Sequence, residues 1–264
     1  MKNSFGMADR LWEIMYPIGM YYVAITVGTF LAQMVFGATN ESYMLCKIIG
    51  SAVAVPVVYA DYKSDMSRIG AFGRKVSMDK NTLYHCFFTV AITLCLSISL
   101  NNIISMSPLM AVSDEYEKAS NAFYGGNMAL ELVAAALVTP VLEELLYRGV
   151  VFGRLRRRMQ MWPAIFVSAF VFGVFHFNVV QFTYAFLVGI AFAIFVEKSG
   201  FLYPAILAHV VANAFAVIRT ETGILMDTVD GSVSAWLISV GLLLVGVGLL
   251  MIYTGRKTRG VEWQ

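Results

Sequence analysis

Long apolar runs recur along this chain and constrain its fold more than any other feature. Stretches such as FLVGIAFAIFV and WLISVGLLLVGVGLLMIY carry no charge. About 20 consecutive apolar residues cross the hydrocarbon core of a bilayer as a helix, because only a helix satisfies its own backbone groups there. Of the 264 residues, 59% are apolar and 14% charged, with a mean hydropathy of +0.71. A soluble domain carries about 45–50% apolar and about 25% charged residues. The excess excludes a soluble enzyme, a disordered chain and a disulfide scaffold. Candidate spans are 15–36, 44–60, 84–105, 127–150, 162–179, 181–196, 201–218 and 233–254. The fold class expected is all-α: a polytopic membrane protein with about eight transmembrane helices. We read 1–264 as a single transmembrane domain with its motif-bearing core at 127–218.

Charge orients the spans. Basic residues cluster in 61–80 (Lys63, Arg68, Arg74, Lys75, Lys80), in 151–161 (Arg154, Arg156, Arg157, Arg158) and at the ends (Lys2, Arg10, Arg256, Lys257, Arg259). Eight spans put all of these, with Lys198, on one side: fifteen cations against Lys118 and Arg219 opposite. By the positive-inside rule both termini are expected in the cytoplasm, in a multi-pass plasma-membrane protein. The N-terminus lacks the pattern of a cleaved signal peptide, so the first helix is read as retained. A net charge of +2 gives no sign of nucleic-acid binding, and Cys46, Cys86 and Cys95 lie in apolar stretches without CxxC spacing. The basic run RLRRR is read as a headgroup helix or a solvated turn, and 1–60 and 233–264 as plain lipid-facing helices.

Polar residues inside the spans point to function, because an ionisable group in a membrane is expensive. Lys47 and His85 lie near span ends and Glu131 in a first helical turn, where interface, snorkelling or helix dipole accounts for them. The others do not fit that account. Span four ends TPVLEELLYRGVVFGRLRRR, with adjacent Glu143 and Glu144. Glu144 and Arg148 stand four apart and share a face, so they are expected to form an ion pair. Glu143 lies about 100° round the helix with no local counter-charge, and Pro140 is expected to kink the helix just before it. His176 sits in FVFGVFHFN, followed by Asn178, and His209 and Asn213 share a face of span seven. One polar cavity opening toward the cytoplasm is expected to collect them.

A carboxylate, two imidazoles and an amide suit hydrolysis. Glu143 would take a proton from water, His176 would position that water or pass a proton to the leaving amine, and His209 with Asn213 would stabilise the oxyanion. The competing arrangement is zinc held by Glu143, His176 and His209 with an open fourth position. HExxH is absent, and we read the set as needing no metal or other cofactor. Two further functions use the same cluster: a proton-coupled transporter, and a non-catalytic scaffold or immunity protein. Paired halves, common in transporters, are not seen.

These residues resemble a known family. EELLYRG matches the EExxxR signature of the CAAX protease and bacteriocin-processing family of intramembrane proteases, with Glu143, Glu144 and Arg148 at its three positions. Phe172 to His176 is similar to its FxxxH motif, and His209 to Asn213 to its HxxxN motif. The resemblance implies an eight-helix core and endoproteolysis of a membrane-associated peptide or protein. It also implies that Glu143 and His176 activate the water and that His209 and Asn213 form the oxyanion site. Glu144 would keep a supporting part beside Arg148. The label "metalloendopeptidase" attached to the family carries the metal question with it.

Overall fold

The structure is a computed structural model that describes residues 6–124 and 126–256. Lys2, Lys257 and Arg259, counted above in the basic flank, lie outside the described residues. Nine helices concern the argument. They are α1 (Met7–Phe36), α2 (Asn40–Arg68), α3 (Lys80–Ser105), the short α4 (Asp114–Phe123), α5 (128–156), α6 (Met161–Val174), α7 (Val179–Ser199), α8 (Tyr203–Thr222) and α9 (Val233–Gly255). No strand occurs among the described residues, and each apolar segment read from the sequence coincides with a helix, so the chain is an all-α polytopic membrane protein. Six helices, α1, α2, α3, α7, α8 and α9, are long and apolar enough to cross a bilayer. The fourth and fifth segments depart from that standard, and both departures serve the interior.

Polar residues set the helix ends. Thr39, Asp79, Asn127, Asn178 and Ser232 cap α2, α3, α5, α7 and α9, each accepting a backbone N–H of the first turn. Gly200 and Gly223 end α7 and α8 at φ of +74° and +70°, the left-handed conformation that closes a helix without a Cβ clash.

Helix α5 is continuous but changes pitch. It runs α over Met128–Glu131, π over Leu132–Val138, α over Thr139–Glu144, π over Leu145–Phe152 and α over Gly153–Arg156. Pro140 was expected to kink this helix; it follows directly on the first π stretch. In the five-residue register the carbonyl facing Pro140 is that of Ala135, and proline has no N–H to offer it. The side chain of Asn213 supplies the donor instead, at 2.8 Å.

Helix α6 has 14 residues and so rises about 21 Å, short of the roughly 30 Å hydrocarbon core. The span expected to reach 179 stops at Val174, because Phe177 turns left-handed (φ +58°) and Asn178 caps α7. Irregular backbone at such depth survives only where protein or a cavity satisfies it. Here Tyr22 donates to the Phe175 carbonyl at 3.0 Å, and Asn178 donates to the His176 carbonyl at 3.0 Å.

The run RLRRR is neither a headgroup helix nor a solvated turn. Arg154 bonds Asp65 at 2.6 Å, Asp61 at 2.8 Å and the Glu13 carbonyl at 2.7 Å. Arg156 holds Glu197 through two bonds of 2.9 Å, Arg157 reaches Asp65 at 3.2 Å, and Arg158 pairs with Glu13. The run therefore ties the end of α5 to α1, α2 and α7. Arg219, counted above as a loop cation, lies buried in α8 and donates to Asn102 at 2.7 Å.

Helices α1 and α2 cross at Gly28 and Gly50. A Cβ on Gly50 would come within 2.7 Å of the Ile25 carbonyl and 2.1 Å of Thr29 Oγ1. Backbone cannot yield as a side-chain tip can. We expect Gly50→Ala to cost about 1–3 kcal/mol, read as a lowered unfolding midpoint in detergent; an unchanged midpoint would contradict the close crossing.

Candidate active site

Glu144 is fully buried, and one of its oxygens serves two helices. Oε1 accepts from Arg148 Nη1 at 3.0 Å and from His209 Nδ1 at 2.8 Å. The expected Glu144–Arg148 pair is therefore present, within one helix and without solvent exposure. Arg148 also donates to the Gly189 carbonyl of α7 at 3.2 Å, and its guanidinium lies 4.3 Å from the Phe172 ring centre and 5.3 Å from that of Phe192. Gly189 leaves the space this requires, since a Cβ there would stand 3.0 Å from Nη2. Gly149, the last residue of EELLYRG, is likewise covered by the ring of Tyr62.

The bond from His209 to Glu144 decides the imidazole's chemistry. Nδ1 carries the hydrogen that Glu144 accepts, so Nε2 is the nitrogen left for reaction. It faces Glu143 Oε2 at 3.7 Å. The rings of Phe172 and Phe192 flank His209, with centres 5.6 Å and 5.3 Å away. His176 donates Nδ1–H to the Phe172 carbonyl at 3.0 Å, which leaves the lone pair on its Nε2. It sits in the turn after α6, not inside the helix.

Glu143, His176, His209 and Asn213 line one cavity of about 670 Å³. Tyr22 and Tyr147 stand in the same wall, their hydroxyls 3.4 Å apart. The wall is drawn from the C-terminal parts of α1, α3, α6 and α8, the N-terminal parts of α2, α5 and α7, and α4. Most of this lining lies toward the end of the bundle away from the basic loops, while Glu143, Tyr147, Phe192 and His209 stand at or on the basic side of the middle of their helices. Helix α5 runs on to Arg156, about 20 Å beyond Glu143, whereas His209, facing Glu143 at 3.7 Å, stands about 9 Å from the basic end of α8, so α5 overhangs its neighbours at that end.

The reading of 1–60 as plain lipid-facing helix also fails. Tyr22, Thr29 and Gln33 of α1 and Lys47 of α2 line the cavity while the opposite face of α1 stays exposed and apolar. Nothing in the sequence separates Tyr22 from an interfacial aromatic. In α9, Tyr253 is buried and bonds His85 Nδ1 at 2.7 Å. Glu131 is buried and accepts the Gly126 N–H at 3.0 Å. Asn178 is a cap and a support for His176.

A zinc site was the competing arrangement. Among the described residues no three His, Cys, Asp or Glu side chains gather closely enough to hold a metal ion. His209 Nε2 and Glu143 Oε2 face each other at 3.7 Å, and the chemistry below is derived from the protein's own residues.

Removing Arg148 would leave the fully buried Glu144 carboxylate without its counter-charge. We expect Arg148→Met to cost about 3–5 kcal/mol, measured as a fall in the thermal midpoint in detergent. An unchanged midpoint would contradict the buried pair.

Residues 125–215 match the family described as type II CAAX prenyl endopeptidase Rce1-like. Over 89 residues the chain is 28% identical to Putative membrane peptidase YdiL of Bacillus subtilis (strain 168), covering 34% of this chain and 36% of that relative. The match thus spans about a third of the relative's length. No solved structure matches the chain. The matched stretch contains Glu143, Glu144, Arg148, His176, His209 and Asn213.

Proposed function

We propose that this chain is an intramembrane endopeptidase that hydrolyses a peptide bond in a membrane-associated peptide or protein with Glu143 as general base. The observation that carries the reading is His209, held through Nδ1 by Glu144 and presenting Nε2 to Glu143 on the wall of one cavity. A carboxylate that fixes an imidazole's tautomer and direction is a recurring hydrolytic device.

The mechanism follows from the donors and acceptors. Glu143 takes a proton from a water as its oxygen adds to the scissile carbonyl. His176, with a lone pair at Nε2, accepts a hydrogen bond from that water and aligns it. Charge develops on the carbonyl oxygen. His209 in its protonated form, held by Glu144, donates Nε2–H to it. One Nδ2 hydrogen of Asn213 is spent on Ala135, and the other is free to join His209. The C–N bond then breaks, and the proton held by Glu143 passes to the leaving amine. Catalysis by this route needs no metal. In the orientation we propose, the basic loops and both termini face the cytoplasm at the plasma membrane, and the cavity runs from the middle of the bilayer toward its outer face.

Cleavage of a quenched fluorescent peptide library by the purified protein tests the chemistry. Loss of a general base costs about 10²–10⁴-fold, so Glu143→Gln should lose activity by that factor and His209→Ala should fall with it, while a chelator leaves wild type unchanged. Wild-type turnover by Glu143→Gln would overturn the role of Glu143; loss on chelation with recovery on added zinc would overturn the metal-free route. For orientation, single cysteines at Phe72 and Asp227 should label from opposite faces, Phe72 from the cytoplasm. Labelling of Phe72 from outside would reverse the topology.

A further inference from the structure

The cavity reaches well beyond the residues that the proposed hydrolysis uses. Its lining includes one acidic residue, Glu143, and one lysine, Lys47 on α2. The ammonium of Lys47 stands 5.2 Å from the ring centre of Phe123 on α4 and 5.7 Å from that of Tyr43. No acidic side chain pairs with it among the described residues. Aromatic faces stabilise a desolvated cation but take none of its N–H donors. Lys47 is partly exposed in the cavity wall, and no side-chain or backbone acceptor bonds its ammonium among the described residues.

Its height relative to Glu143 follows from the helix crossing. Gly28 on α1 meets Gly50 on α2, so in this antiparallel pair Lys47 stands level with about residue 31 of α1. Tyr22, whose hydroxyl bonds the turn that carries His176, lies nine residues earlier on α1. Nine residues of helix rise about 14 Å, the length of about four residues of extended chain.

The geometry points to Lys47 as the anchor of a second subsite, one that takes a carboxylate of the bound peptide about four residues from the bond that is cut. This rests on the endopeptidase reading for the identity of the ligand as a peptide. A carboxylate suits the site better than a phosphate. Phosphate sites gather several donors, often arginine forks or a helix N-terminus, whereas Lys47 is a lone point charge flanked by rings. The carboxylate has two sources, the terminus of the peptide chain or an Asp or Glu side chain. Lys47 touches no reacting atom; it sets specificity and register.

Binding tests this without turnover. The probes are a fluorescein-labelled apolar decapeptide with a free C-terminal carboxylate, its C-terminal amide, an amide with one internal Asp, the matching Asn peptide, and dodecyl phosphate as competitor. Each is titrated against detergent-solubilised Glu143→Gln protein with Lys47, Lys47→Arg or Lys47→Met, after thermal unfolding shows each variant folded. The expected result is that one carboxylate peptide binds about tenfold or more tightly than its neutral partner. Lys47→Met should abolish that preference and Lys47→Arg should keep it. The free-acid and amide pair reports a chain terminus, and the Asp and Asn pair a side chain. Equal binding of charged and neutral peptides, or a preference that survives Lys47→Met, would overturn the subsite and leave Lys47 as a strut between α2 and Phe123. Lys47-dependent binding of dodecyl phosphate with no carboxylate preference would overturn it in favour of a lipid headgroup. If Lys47→Met does not fold, the preference in Lys47 and Lys47→Arg proteins decides: its absence overturns the subsite. The two readings fail separately, since a Lys47-dependent preference in a protein that cleaves nothing would leave the anion site standing and remove the peptidase.

Discussion

One carboxylate oxygen organises the interior. Glu144 Oε1 accepts from Arg148 on its own helix and from His209 on α8, and Arg148 in turn reaches the Gly189 carbonyl on α7 and the Phe172 ring on α6. Four helices therefore meet around a single buried ion pair. Burying such charges is unfavourable unless they are paired; Glu144 Oε2 and Arg148 Nε have no partner among the described residues, so the bonds to Oε1 hold the geometry. If the pair loosened, His209 would lose the contact that fixes its tautomer, and Nε2 would no longer be aimed at Glu143. The cavity wall, the facing residues and the chemistry proposed for them all depend on it.

The irregular stretches follow from the same need. A regular helix hides its backbone from lipid, but it gives little freedom to gather polar side chains from four helices. Widening α5 into π turns on either side of Thr139–Glu144 and ending α6 at Val174 bring Glu143, His176 and Asn213 to one cavity. Each irregularity is compensated locally. Asn213 serves the Ala135 carbonyl, Tyr22 that of Phe175 and Asn178 that of His176. The polar side chains of this region thus support the backbone as well as face the cavity.

The two ends of the bundle divide the work. At the basic end, arginines of the α5 C-terminus are bound into ion pairs with α1, α2 and α7 and lock the helices together. At the other end the helices part to form the cavity, roofed by α4 and crossed at its far side by Lys47. A rigid base under an open chamber suits a site that must admit a ligand without losing its internal geometry.

Much of this was legible in the sequence. Hydropathy alone determines the all-α membrane architecture, because a backbone in lipid has few other options. The i,i+4 spacing of Glu144 with Arg148 determines their pairing, since it is set by the pitch of a single helix. The residues gathered at the cavity, Glu143, His176, His209 and Asn213, stood out as polar groups too costly to keep in lipid without use. Contacts between helices were not legible. That His209 bonds Glu144 through Nδ1, that Asn213 serves a proline-freed carbonyl, that RLRRR is consumed in ion pairs, and that Tyr22 and Lys47 share the cavity are decided by packing between segments far apart in the chain. Periodicity carries information along one helix; partners across helices exist only once the chain is folded.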